Sequence, residues 1–314
     1  MKKVLTIGEI LVEIMAVEPG RGFREAISLV GPFPSGAPAI FIDQAARLGQ
    51  PAAMIGCVGK DDFGAVCIER LKRDGVDVGA IGEDPDRPTG SAFVRYRPDG
   101  ARDFVFNIRH SACGAVRATP QTDAAIAACD HLHVMGTSLF SDAIVELTLD
   151  AIKRVRARHG TISFDPNIRR EMLDLPGLRK ALDFVAGETD LFLPSGPELF
   201  LFTEAGSEAE AARALLDRGM KAIVVKRGAA GAGYFDAETA LSVGAYPAQE
   251  IDPTGAGDCF AATFVSCWLR HMPPRRALAY ANAAGSLAVR RKGPMEGAST
   301  LAEIEAVLAA AGAA

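Results

Sequence analysis

The sequence holds no run of about 18 consecutive apolar residues, so no helix in it is expected to span a membrane. Its six cysteines, Cys57, Cys67, Cys113, Cys129, Cys259 and Cys267, form no C-x-x-C pair and sit mostly inside apolar segments. They read as buried free thiols in a reducing, cytoplasmic setting rather than as a disulfide frame. Lys and Arg never run longer than three in a row, and the formal net charge is −5. A nucleic-acid partner therefore has no electrostatic footprint. The opening MKK before an apolar stretch suggests a signal peptide, but Glu9 and Glu13 interrupt that stretch and no small-residue cleavage site follows. His131-x-His133 lacks a third ligand at metal-binding spacing. Two phosphate loops are also missing. No G-x-x-x-x-G-K-[ST] occurs, and a G-x-G-x-x-G from Gly255 would need glycine where Phe260 stands. That excludes a P-loop enzyme and opposes a nicotinamide-dependent dehydrogenase.

What is present is a chain of 314 residues, 49% hydrophobic and 23% charged, which suits one large α/β domain or two small ones. VLTIGEILVEIM reads as one or two strands, GAPAIFIDQAARLG as a helix with a glycine stop, AAMIGCVG as a strand, DFGAVCIERLKRDG as a helix and VDVGAI as a strand. SAFVRYR and ARDFVFNI flank Pro98-Asp99-Gly100, a hairpin signature. Beyond it strand and helix alternate: HLHVMG, the helix SDAIVELTLDAIKRVRARHG, TISFD, DLFLP, a helix capped by Ser207 and Glu210, and KAIVVK. Two short strands surround Asp236, and the rest from Gly255 is mainly helical. The alternation predicts a three-layer, doubly wound, mostly parallel sheet. No long linker divides it, so residues 1–314 read as one domain. The hairpin at 90–108 and an extra strand near 10–16 stand outside the alternation. They predict a small β-sheet lid built from about 10–35 and 89–110.

The stretch I-D-P-T-G-A-G-D-C-F, residues 251–260, runs straight into an apolar helix. Gly255 and Gly257 remove side chains, so successive backbone N–H groups, Ala256 included, can converge on one anion at a helix N-terminus. Asp258 then stands in the first turn. A lone aspartate there would be read as a cap; a cap alone does not need two glycines. An anion hole beside a carboxylate suits phosphoryl transfer, the hole holding charge and the carboxylate accepting the proton of an attacking hydroxyl.

These residues resemble the D-T-x-G-A-G-D signature of the ribokinase-like (PfkB) carbohydrate kinases. VGKDDFG at 58–64, FDPNIR at 164–169, VKRGAAGAGYF at 225–235 and ANAAGSLAV at 281–289 resemble further motifs of that family, so the likeness spans essentially the whole chain. It implies a central sheet with a β lid over the sugar, ATP as phosphoryl donor, Mg²⁺, and in some members K⁺. By the same resemblance Asp258 is the base and Gly255, Ala256 and Gly257 form the anion hole. Asn167 and Arg169 contact substrate or phosphate, with Glu13, Gly36 and Arg109 on the sugar side. Lys226, Gly228, Gly231 and Asn282 fall on the nucleotide side, and Glu198 acts near Mg²⁺ and the phosphates. Backbone carbonyls near Asp252, Thr254, Val289 and Lys292 would hold the monovalent cation. Ser195 stands where the family's N-x-x-E has Asn, Ser35-Gly36 replaces its di-glycine, Ile40 replaces the Asn that follows it, and Glu13 replaces a sugar-binding Asp. These departures bear on the substrate rather than on the reaction.

GEILVE, GPFPSGAP and FNIRHSAC resemble a subgroup labelled tagatose kinases, with fructose and 2-keto-3-deoxygluconate as rival substrates. A non-catalytic sugar sensor on the same fold is the rival of another class, opposed by the intact loop and base. Residue by residue, alternatives stay open. Lys226 ends a buried strand and points either into the site or to solvent. Arg109 is a ligand or a lid-surface charge, and Arg169 with Arg170 a contact or a solvated pair. A lid edge strand also offers a route to a homodimer.

Overall fold

The computed structural model describes residues 1–20, 22–97, 102–168 and 176–312. The chain begins with β1 (Val4–Ile7), β2 (Leu11–Ala16), β3 (Leu29–Ser35), α1 (Ala37–Arg47), β4 (Ala52–Gly59), α2 (Asp62–Arg73) and β5 (Asp77–Asp84). β6 (Gly90–Tyr96), β7 (Arg102–Asn107), α3 (Pro120–Ala127), β8 (His131–Met135), α4 (Asp142–Ala157), β9 (Thr161–Asp165) and α5 (Leu178–Gly187) follow. Then come β10 (Leu191–Phe192), α6 (Gly196–Leu199), α7 (Glu208–Asp217), β11 (Ala222–Lys226), β12 (Ala232–Phe235) and β13 (Ala240–Val243). Three helices end the chain: α8 (Ala256–Leu269), α9 (Pro274–Ala288) and α10 (Leu301–Ala310).

Nine strands form the main sheet in the order β13-β12-β11-β10-β9-β8-β1-β4-β5. The pairs β11–β12 and β12–β13 are antiparallel and the others parallel. Strand alternation sends successive side chains to opposite faces. In β11, Ala222 and Val224 join one buried cluster with α1, α2, α8, α9 and α10. Ile223 and Val225 join the other, with α3, α4, α5, α6 and α7. Helices thus cover both faces, as the βα alternation predicts.

The second sheet has the order β3-β2-β6-β7. β6 and β7 pair antiparallel from Ser91↔Asn107 to Tyr96↔Arg102, which is the predicted hairpin; its Pro98-Asp99-Gly100 turn lies outside the described residues. β2 is the predicted early strand. β3 was not predicted, because Pro32 and Pro34 break its strand pattern. It is an edge strand, where a missing N–H is tolerated. Helix α3 also escaped sequence reading, since its eight residues carry little apolar periodicity. Thr119 and Thr122 fix its start through a reciprocal cap.

All six cysteines are buried and free. His131 and His133 are packed into the sheet, bonded to Thr161 and Ser163 at 2.7 Å, and His133 stacks on Phe41. Burial lowers His131 to about 3 and His133 well below its usual value, so both are neutral core residues. Among the described residues no helix is long and apolar enough to cross a membrane.

Candidate active site

Open α/β sheets bind ligands beyond the carboxyl ends of their strands. A cavity of about 550 Å³ lies there, between that edge of the main sheet and the inner side of β7.

One wall is the loop 252–257. Asp252 organises it: Oδ1 accepts from Thr254 N at 3.0 Å and Thr254 Oγ1 at 2.7 Å, and Oδ2 accepts from Gly293 N at 3.0 Å. Gly255 has φ +80°, and a Cβ there would lie 2.3 Å from the Pro294 carbonyl oxygen. Only glycine makes this turn without displacing backbone. α8 starts at Ala256 with no side-chain cap; Ala256 N donates to the Pro253 carbonyl at 3.4 Å, and Gly257, which lines the cavity, has an N–H with no intrahelical partner. At Gly257 a Cβ would meet only Lys226 Nζ, at 3.9 Å. Asp258, the next residue, is 8% exposed and lines the cavity.

The adjoining wall comes from the ends of β9 and β11. Asn167 adopts φ +40°, uncommon outside glycine, and its Nδ2 donates to Asp258 Oδ1 at 3.4 Å. Lys226 turns inward and pairs with the fully buried Asp165. Burial pushes Asp165 up to about 6 against the pull of Lys226. Burial alone would discharge Lys226, but the carboxylates of Asp165, Glu198 and Asp258 offset it and hold the ammonium above the usual lysine range. Glu198 accepts from Ile168 N through Oε1 and from Ser195 N through Oε2, both at 2.7 Å. Its carboxylate therefore staples the 166–168 segment to the start of α6. Serine at 195, in place of the family's asparagine, still supplies the backbone donor.

The cavity is also lined by two buried carboxylates. Glu13 accepts from Ser35 Oγ at 2.7 Å. Glu9 accepts from Thr137 Oγ1 at 3.1 Å and Ser138 Oγ at 2.6 Å. Gly36 caps α1 with φ +110°, and a Cβ there would be 2.4 Å from the Glu9 carbonyl oxygen. From β7, Phe104 and Phe106 stack at 5.1 Å between centroids and line the cavity with Arg109. Arg102, also of β7, reaches across to donate from Nη1 to Thr254 Oγ1 at 2.5 Å.

Most of the residues singled out by sequence converge here. Asp258, Gly255, Gly257, Glu13, Gly36, Arg109, Asn167 and Lys226 line the cavity. Thr254 lines it too, whereas Ala256, Glu198, Asp252, Val289 and Lys292 do not; nor do Gly228 and Gly231 in the β11–β12 turn, or Asn282, whose Nδ2 donates to the Val243 and Gly244 carbonyls at 3.1 Å each. The Val289 carbonyl accepts from Ile251 N and Asp252 N, and Lys292 Nζ donates to the Ala16 carbonyl at 3.0 Å. Arg169 lies outside the described residues. Sequence reading missed Glu9, Asp165 and Arg102 as site residues. Glu9 left a signal, a charge interrupting an apolar run; Asp165, at a strand end, and Arg102 left none.

The fold and this site define a phosphotransferase: a carboxylate beside an uncapped, glycine-opened helix N-terminus, with a lysine at its side. Residues 1–301 match the model of the pfkB family carbohydrate kinases, and the chain belongs to that family. It is 31% identical to a fructokinase of Vibrio alginolyticus, over 86% of this chain and 90% of that one. It is likewise 31% identical to a 2-dehydro-3-deoxygluconokinase of Thermoproteus tenax, over 99% and 95%. Among solved structures, a protein of E. coli provisionally named Ribokinase II is 49% identical with TM-score 0.95, covering 99% of this chain and 100% of that one. The same description recurs for a complex with ATP and Mg²⁺, at 48% and TM-score 0.93 over the same shares. A Vibrio cholerae fructokinase double mutant with fructose, ADP and potassium bound is 28% identical, with TM-score 0.84 over 98% of each chain. The protein is thus a ribokinase-like sugar kinase.

Proposed function

We propose that the chain transfers the γ-phosphate of ATP to a terminal primary hydroxyl of a ketohexose, tagatose ahead of fructose, with Asp258 as the base. The observation that carries the choice of a neutral sugar is the pair of buried carboxylates, Glu9 and Glu13, in the wall of the cavity that Asp258 also lines. Carboxylates accept hydrogen bonds from hydroxyls and repel an anionic substrate. The second reading is a sugar acid such as 2-keto-3-deoxygluconate, favoured by Arg109 on the cavity wall and by the Thermoproteus relative.

In this reading the hydroxyl is held within about 2.6–3.2 Å of Asp258, which takes its proton as the oxygen attacks phosphorus. N–H groups of residues 255–257 hold the charge on the transferred group. Gly228, Gly231 and Asn282 shape the nucleotide side. Mg²⁺, when bound, neutralises the phosphate charges. The described residues hold no cluster of three metal-ligating side chains, which fits an ion carried mainly by phosphates, with Glu198 acting through water. For K⁺, the carbonyls of Asp252, Thr254 and Lys292 are the better candidates, since Val289 already serves two backbone donors. The second sheet acts as the lid, within a single domain of residues 1–314.

Coupled ADP detection tests this. Release should require both sugar and ATP, and should fall when K⁺ is replaced by tetramethylammonium at equal ionic strength. Release independent of any sugar would refute the reading; equal rates in the two cations would remove the potassium site.

A further inference from the structure

Lys226 has a bland explanation, as half of an ion pair in the cavity wall, and its surroundings argue against that being all. Replacing a buried ion pair by well-packed apolar residues is often neutral or stabilising, so stability alone is a weak reason to keep one. Asp165 is fully buried, yet the lysine side chain it holds keeps 12% exposure, on the cavity side. The ammonium stands over the first turn of α8, with Gly257 offering no side chain between them. Asp258 is close enough to act on its charge. An ammonium has three N–H donors, and Asp165 takes one.

We propose that Lys226 is a catalytic residue whose ammonium contacts the phosphoryl group in flight, and that Asp165 is the positioning residue that aims it. The proposal rests on the sugar-kinase reading and assigns a part of it to residues given no such role by the anion loop and base alone. During transfer the sugar oxygen forms a bond to the γ-phosphorus. The bond from that phosphorus to the β,γ-bridging oxygen breaks, its electron pair staying on ADP, and the hydroxyl proton goes to Asp258. Negative charge on the three equatorial oxygens meets the α8 N–H groups from one side and Lys226 from another. Asp165 fixes the long, flexible lysine stem, so little ordering remains at the moment of reaction.

The test uses the full chain with whichever acceptor the wild type turns over fastest, so it does not depend on the identity of the sugar. Wild-type turnover with no sugar on a broad panel would count against the kinase reading itself and leave a separate signature. Lys226→Met is expected to lower kcat by about 10²- to 10³-fold. Its Kd for ADP and its KM for sugar should each move by less than about threefold. Asp165→Asn should show the same split, and Lys226→Arg should recover part of the rate, which a purely structural role would not produce. If Asp165→Asn fails to fold, Lys226→Met and Lys226→Arg decide alone. A kcat within threefold of wild type would overturn the proposal. So would a loss of ADP affinity equal to the loss in kcat/KM, which places the lysine on the phosphates that stay with the nucleotide.

Discussion

At the scale of residues, the site works by denying side chains to some positions and burying charge at others. Gly255 is demanded by a backbone turn and Gly257 by access, two different reasons within one short loop. Asp258 holds no capping role, because no side chain caps α8, and its carboxylate faces the cavity. Asp258→Asn keeps shape and removes the base. We expect kcat to fall by more than about 10²-fold while the thermal melt stays within a few degrees. Steady-state kinetics beside calorimetry checks this; a smaller fall removes Asp258 from the role of essential base. The loop was legible in the sequence because glycine and aspartate at these spacings have few other uses. Asp165 was not, since F-D-P-N shows an aspartate at a strand end without showing that Lys226, 61 residues later, is its partner.

At the scale of elements, α1 carries the Ser35-Gly36 turn at its start and a buried carboxyl, Asp43, in its middle. Asp43 pairs with Arg70 of α2 at 3.3 Å, and Arg70 also reaches Asp74, Glu296 and the Met295 carbonyl. This clamp ties α1 and α2 to the 293–296 segment, whose Gly293 N–H braces Asp252 of the 252–257 loop. Burial pushes Asp43 up to about 8 despite Arg70. The folded chain therefore keeps a proton that the unfolded chain releases near pH 4. Between those values the native state binds more protons, so this group makes stability fall as pH rises. Asp43→Asn carries no such term, and its Tm relative to wild type should climb from pH 5 to pH 8. A difference constant across calorimetric scans at pH 5, 6, 7 and 8 would contradict it. Periodicity predicted α1 and α2 themselves. It was silent on the clamp, because charged residues on an amphipathic helix read as a solvated face.

At the scale of the molecule, the second sheet brings β7 over the mouth of the cavity, and Arg102 spans from it to Thr254. We expect this sheet to close over bound sugar, and to pair with a second copy through exposed Leu29 and Val30 of β3 and Val105 of β7. Sugar with ADP should slow hydrogen exchange across β2, β6 and β7, and light scattering should give a dimer. Exchange unmoved by ligand would end the lid claim, and a strict monomer the pairing claim. The three-layer sheet was readable from βα alternation alone. The shape of the cavity was not, because its walls come from β2, β3, β7 and the segment after β8, brought together only by folding.

The central claim is that a kinase of this fold, with Glu9 and Glu13 buried in the wall of its pocket, takes a neutral ketohexose. A pocket built to bond particular hydroxyls rejects analogues that misplace them. The most direct measurement is kcat/KM for tagatose, fructose, 2-keto-3-deoxygluconate and ribose with ATP, under one set of conditions. The account predicts a ketohexose ahead of the sugar acid and of ribose by about tenfold or more. Either of those two leading by a similar factor would contradict it.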